Sequence, residues 1–263
     1  MPEGDTLKKT AMRLTEAIAG ATLTGYTARS PKAAAGDLVG HRIEAVEARG
    51  KNLLIRFDDG RVLYSHLVMR GSWHIYRPGE RWQLARGRAA LVLETEGMLA
   101  VCFDTERVEL LSARAAERYP ALASLGPDLL AEDFDVAAAL ERYREVSDLT
   151  IGEAVMIQRL AAGIGNIYKS ESLFEAKVSP FEKVGVLGDE GVARVLQAAQ
   201  ALLSASVDRA KVKMARTRGA RMMVYGRSGE PCYVCGAEIR MERQGDLGRS
   251  TYWCPECQPL AKE

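Results

Sequence analysis

The spacing of apolar positions changes twice along the chain. Leu7, Ala11, Leu14 and Ile18 recur at helical spacing behind the N-cap candidates Asp5 and Thr6, and Gly20 follows as a stop. This predicts a first helix that holds the chain start against a core. From there to Ser112 the period shortens to two, over residues 21–29, 41–49, 52–57, 61–66, 73–76, 90–94, 99–103 and 107–111. Asp59-Gly60 and Glu96-Gly97 supply turns. The expectation is a β-sandwich or barrel of about eight strands. Cys102, between Val101 and Phe103, reads as a buried thiol without chemistry. Beyond the turn Leu125-Gly126-Pro127-Asp128, helical spacing returns over residues 135–146, 150–161, 166–176 and 189–210. A β half followed by a helical half makes the fold class α+β.

Length and charge sharpen this picture. The 263 residues are long for one domain and comfortable for two, and 47% of them are hydrophobic, enough for sizeable cores. No apolar run approaches the roughly 18 residues of a membrane span, and no basic-then-apolar leader opens the chain. A cytoplasmic protein without a membrane partner is expected. Net charge is only +1 but segregated: residues 128–148 hold seven acids against two arginines, and residues 209–227 hold seven bases and no acid. That basic run is either a solvated face or a wall for phosphates.

Four stretches could carry chemistry. Arg49-Gly50-Lys51 lies between two strands, so Lys51 is either an ordinary turn lysine or one that reaches a phosphate. Leu67-Val68-Met69-Arg70-Gly71 ends a strand in a loop; Met69 is either a core methionine or, beside Arg70, a wedge into stacked bases. Gly163-Ile164-Gly165-Asn166 runs straight into a helix, as a plain connection or as a phosphate site at the helix start. Cys232-x2-Cys235 and Cys254-x2-Cys257, eighteen residues apart, have four-cysteine zinc spacing. Four thiolates leave no open coordination position, so this zinc is structural. Residues 238–242 and 250–253 read as strands of a β-ribbon that holds Arg249 out from the body.

The chain start offers a nucleophile. Removal of Met1 would leave Pro2 as a secondary amine. An α-amino group titrates near 7.7 to 8.0 against about 10.4 for lysine, and proline's extra alkyl substituent narrows that gap without closing it. Its adduct with an aldehyde-level carbon is a permanently cationic iminium, an electron sink for elimination at neighbouring carbons. Glu3 can move the proton such a step needs.

MPEG at the start, RGK in the β half, GIGNIYKSE in the helical half, and VYGRSGEPCYVCG with GRSTYWCPECQ at the end occur in that order along the whole chain. In these motifs the protein resembles the formamidopyrimidine-DNA glycosylase and endonuclease VIII family. The resemblance implies an N-terminal catalytic β-sandwich over residues 1–118, a helix-two-turn-helix DNA-binding domain over 119–222 and a zinc finger over 223–263, with damaged DNA between them and a monomeric chain. It implies a bifunctional glycosylase and abasic-site lyase of base-excision repair. Pro2 matches the Schiff-base nucleophile, Glu3 its proton donor, Lys51 the lysine associated with β-elimination, and Arg249 the finger arginine associated with δ-elimination. Asn166 matches the backbone-binding asparagine and Met69 the wedge position; Arg70 and Lys169 are expected at the DNA as well.

MPEGDT, the shorter stretch before VYGR and Arg107-Val108 in place of an Arg-Phe wedge resemble the endonuclease VIII branch, which implies oxidised pyrimidines. Thr6, where that branch often has a carboxylate, and Val68-Met69-Arg70, where it has Gln-Leu-Tyr, depart from it. A purine-directed glycosylase on the same scaffold is the alternative. A non-catalytic DNA-structure binder is a further one, opposed by the intact Pro2, Glu3, Lys51 and Arg249.

Overall fold

The computed structural model describes residues 2–105, 107–211 and 221–260. Met1 and residues 212–220 of the basic run lie outside the described residues. The chain divides into two compact units, Met1–Ser124 and Leu125–Glu263.

The first unit opens with α1 (Gly4–Ile18), whose N-cap is Glu3, two residues ahead of the expected Asp5. The Glu3 carbonyl accepts from the amides of Thr6 (2.9 Å) and Leu7 (3.2 Å), so Gly4 and Asp5 are already helical. There follow β1 (Leu23–Ala28), α2 (Pro31–Ala34), β2 (Ile43–Arg49), β3 (Asn52–Phe57), β4 (Val62–His66), β5 (Ser72–Tyr76), β6 (Ala89–Thr95), β7 (Leu99–Phe103), β8 (Arg107–Leu111), α3 (Ala113–Glu117) and α4 (Pro120–Ala123). The strands form two four-stranded antiparallel sheets, ordered β1-β6-β7-β5 and β2-β3-β4-β8.

Period-two alternation assigns the faces. Leu91, Leu93, Ala100 and Cys102 join α1 and the second sheet in the main core. Val92, Val101 and Phe103 point the other way, into a smaller cluster with Tyr76 that Trp82 and Leu84 cover. Cys102 is fully buried, and burial pushes its thiol well above the usual range, so it stays protonated and unreactive.

The second unit contains α5 (Val136–Arg144), α6 (Ile151–Ala154), α7 (Asn166–Glu175), α8 (Val184–Lys211), β9 (Arg240–Gln244) and β10 (Arg249–Trp253). The Asp135 side chain caps α5 by accepting from the Ala138 amide at 3.1 Å. The helix expected over 150–161 ends at Ala154 because Gln158 redirects the chain. Its amide donates to the carbonyls of Met156 and Ile164, each at 3.0 Å, and accepts from Gly163 N–H at 3.1 Å. The last long helix starts five residues earlier than the expected Asp189, across a non-helical Gly188 (φ 60°). Strands β9 and β10 form a two-stranded ribbon beside a small cluster of Phe174, Val224, Cys232, Ile239 and Cys254. No helix among the described residues is long and apolar enough to cross a membrane.

Candidate active site and metal centre

Helix α1 runs antiparallel to β2. At its C-terminal end Gly20 N–H donates to Ile43 O (2.8 Å); further back Thr15 Oγ1 donates to Val46 O (3.4 Å), and Lys8 and Arg49 line one cavity. The helix start, with half-buried Pro2 and buried Glu3, therefore lies at the same end of the unit as the end of β2. At that end β2 turns into β3 through Gly50-Lys51, flanked by the pair Arg49 and Asn52. Gly50 has φ +57° whereas Lys51 has no positive φ, the pattern of a type II′ turn, whose first position needs glycine. Beneath the turn, buried Asn52 donates to Arg49 O at 3.1 Å and accepts from the Tyr64 hydroxyl at 2.9 Å. Burial pushes the Tyr64 pKa up to about 12, so it remains a donor.

Strand β4 ends at the same place, since Ser65 pairs with Leu53. Its last residue, His66, is held below the ordinary imidazole range by burial, and then by the cations of Arg107 and Lys51. His66 Nδ1 accepts from Val68 N–H at 3.1 Å, which leaves the ring proton on Nε2. Next comes a tight turn: Gly71 N–H donates to Leu67 O at 2.8 Å, and Val68 sits at φ +53°, a strained conformation for a β-branched residue. A Cβ on Gly71 would lie 2.4 Å from Leu67 O, so this position requires glycine. Leu67 is buried and anchors the turn, while Met69 is 59% exposed at its tip, and Arg70 is exposed beside it. Met69 is thus no core methionine. Thr105 Oγ1 ties this turn to the β7–β8 connection by donating to His66 O at 2.6 Å. Pro2, Glu3, Lys51, Met69 and Arg70 gather at one end of the first unit, together with His66, which the sequence did not single out.

In the second unit the sulfurs of Cys232, Cys235, Cys254 and Cys257 lie within 4.8 Å of one another, with 3.9 Å between Cys232 and Cys257 and 3.4 Å between Cys235 and Cys254. Tetrahedral zinc, with bonds to sulfur of about 2.3 Å, requires sulfur–sulfur edges of about 3.8 Å. The four positions fit that ion.

Polar contacts fasten the ribbon to α7. Asn166 Nδ2 donates to Ser250 O (2.9 Å) and Ser250 Oγ (3.1 Å), Lys169 Nζ to Thr251 Oγ1 (2.8 Å) and Ser250 O (3.2 Å), and Tyr252 N–H to Ser170 Oγ (3.3 Å). These three α7 residues share one helix face by their spacing. Lys169 is only 1% exposed, so the lysine expected at the DNA is an internal strut. Asn166 Oδ1 is buried with no hydrogen-bond partner among the described residues. Arg249 opens β10 opposite Gln244 and is half-buried; it does not project as expected, and the ribbon tip at Gly245–Gly248 instead exposes Leu247.

Two residues of the second unit also escaped the sequence reading. The buried Glu171 carboxylate accepts from the amides of Met223 (2.7 Å), Val224 (2.9 Å) and Tyr225 (2.8 Å), so the last residue of GIGNIYKSE holds the start of VYGR. Gln244 donates to Thr150 Oγ1 (2.7 Å) and Pro180 O (2.9 Å) and accepts from Thr251 (3.0 Å). Only the order of motifs hinted at the first pairing; nothing marked the second.

Residues 1–109 match the formamidopyrimidine-DNA glycosylase N-terminal domain, 125–217 the formamidopyrimidine-DNA glycosylase H2TH domain, and 229–260 the zinc finger found in FPG and IleRS. The chain is 42% identical over 261 residues to a probable endonuclease 8 2 of Streptomyces coelicolor, covering 98% of this chain and 94% of that protein. The chain belongs to the formamidopyrimidine-DNA glycosylase and endonuclease VIII family. It is also 39% identical to a DNA-(apurinic or apyrimidinic site) lyase of Mycolicibacterium smegmatis, over 98% of this chain and 99% of that one. Its fold is similar to that of the Lactococcus lactis formamidopyrimidine-DNA glycosylase non-covalently bound to DNA containing an abasic site, with a TM-score of 0.84 at 26% identity over 98% of this chain and all of that one. In this family member the four-cysteine ribbon is the zinc finger and its zinc is structural.

Proposed function

We propose that this DNA glycosylase and abasic-site lyase excises oxidised pyrimidines and breaks the strand by β,δ-elimination through an iminium on Pro2. What supports the reading is the gathering of Pro2 and Glu3 with the Lys51 turn and the Met69–Arg70 turn at one end of the β unit. A damaged base is out of reach inside a duplex, so it is turned out of the stack, and the exposed Met69 fills the vacated space. The Pro2 nitrogen bonds to C1′ of the deoxyribose as the bond from C1′ to the base breaks, and Glu3 passes a proton to the ring oxygen as the sugar opens. The cationic nitrogen then acidifies C2′; loss of that proton expels the 3′ phosphate, and a second elimination expels the 5′ phosphate. Lys51 and Arg249 offer cations to the departing phosphates.

The pyrimidine preference is supported by the endonuclease 8 names of relatives up to 42% identical. A purine preference has weaker support, from a 33% identical formamidopyrimidine-DNA glycosylase of Thermus thermophilus. Duplexes containing thymine glycol or 8-oxoguanine, compared under single-turnover conditions, decide between them. Faster excision of thymine glycol is expected; faster excision of 8-oxoguanine would overturn the preference while leaving the lyase chemistry standing.

A further inference from the structure

Residues 77–88, which join β5 to β6, hold four arginines, one glutamate and Trp82. They cover the outer face of the β1-β6-β7-β5 sheet, where Tyr76, Val92, Val101 and Phe103 form the cluster separate from the main core. Trp82 stacks on Tyr76 with ring centroids 5.8 Å apart and meets Phe103 edge-on at 5.7 Å, so its ring is fixed from beneath. Arg86 lies over the same ring at 4.7 Å.

Two cavities adjoin here. One, of about 550 Å³, is lined by Arg29, Trp82, Arg86 and Glu94; the other, of about 570 Å³, by Arg29, Arg88, Asp104 and Thr105. Arg29 and Ala90 line both. Thr105 lines the second cavity, and its hydroxyl donates to the His66 carbonyl at the end of the unit that gathers Pro2 and Lys51. The groove therefore leads from that end onto the outer face of the sheet.

Its chemistry is selective. Arg88 is neutralised by Asp104, its Nε donating to Oδ1 at 2.9 Å. Arg29 gives one donor to Gly87 O and keeps the rest of its exposed guanidinium, and Arg86 is exposed as well. Glu94 and Glu80 oppose them, but with Arg77 and Arg81 of the same connection the cations stand four to two. A guanidinium held over an aromatic ring, as Arg86 is over Trp82, offers a surface on which an unstacked base can lie, beside further guanidinium groups for phosphates that recur at every step. A duplex cannot offer its base faces to the Arg86–Trp82 pair.

We infer that this groove binds single-stranded DNA running on from the lesion. The inference depends on the proposed catalytic end for the direction of the strand, and not for the binding itself. The test is affinity for a short undamaged oligothymidylate, which requires no catalysis. Arg29→Glu/Arg86→Glu, two changes at exposed residues, should weaken that affinity by about ten-fold and flatten its dependence on log salt by about 1.4, two single-strand phosphates' worth. Trp82→Leu, which keeps an apolar cover on the sheet, should weaken oligothymidylate binding but leave unchanged the affinity for a base-free phosphodiester chain of equal length. Cleavage of a short, fully paired lesion duplex should be unaffected by either variant. Unchanged oligothymidylate affinity in the charge-reversed protein would overturn the inference, and so would equal losses on the oligothymidylate and the short duplex.

Discussion

In the β unit, Lys51 and Met69 stand at the tips of turns whose flanking strands are anchored in the apolar core; in the helical unit, Asn166, Lys169 and the cysteines are set by hydrogen bonds and by a metal. The first arrangement hangs its chemistry on a large apolar core that does not depend on any one polar contact. The second fastens a ribbon, with only a small cluster beneath it, through Lys169, Glu171, Gln244 and zinc. Single polar substitutions should therefore be mild for folding in the first unit and severe in the second.

The largest effect is expected at the metal. Cys232→Ser should release zinc and disorder the ribbon, because metal binding in such small domains supplies folding free energy on the order of 10 kcal/mol. Metal content and proteolysis of the ribbon would report it; full zinc retention would break the comparison. Glu171→Gln comes next, since an amide cannot accept from all three backbone donors that the carboxylate satisfies. Denaturant unfolding should show a loss of about 3 kcal/mol.

In the β unit, Gly71→Ala should mark the contrast. The added Cβ meets a backbone oxygen, so the turn carrying Met69 must move, whereas the core beneath it stays. Base excision should fall steeply with a stability loss of about 2 kcal/mol; a variant that excises normally would detach Met69 from the site. The smallest effect concerns pH. Burial holds His66 and His74 below their ordinary values, so the unfolded chain takes up protons first. Their contribution is present above about pH 6.5 and is lost as pH falls through it. The melting temperature should drop slightly between neutral pH and pH 5, and less so in His66→Gln/His74→Gln.

The same contrast explains what the sequence disclosed. Strands at 52–57, 99–103 and 107–111 could be read to the residue, because a turn or break bounds each of them. The helix over 150–161 was overextended because Ile151, Ala154, Val155, Leu160 and Ala161 are all buried, and burial on every side erases the periodicity that marks a boundary. Lys169 looked like a surface cation because a lysine's burial depends on partners eighty residues away, which no local pattern encodes. Four cysteines were legible because zinc fixes their spacing; Glu171 and Gln244 were not, because a hydrogen bond fixes none.

The central claim is that the chain's own amine performs the chemistry, and borohydride trapping on lesion-containing DNA tests it most directly. Reduction of the iminium should leave a stable protein–DNA adduct whose modified peptide begins at Pro2, and Pro2→Gly should trap far less. An adduct that maps to Lys51 or any other internal lysine, with Pro2 unmodified, would contradict the account.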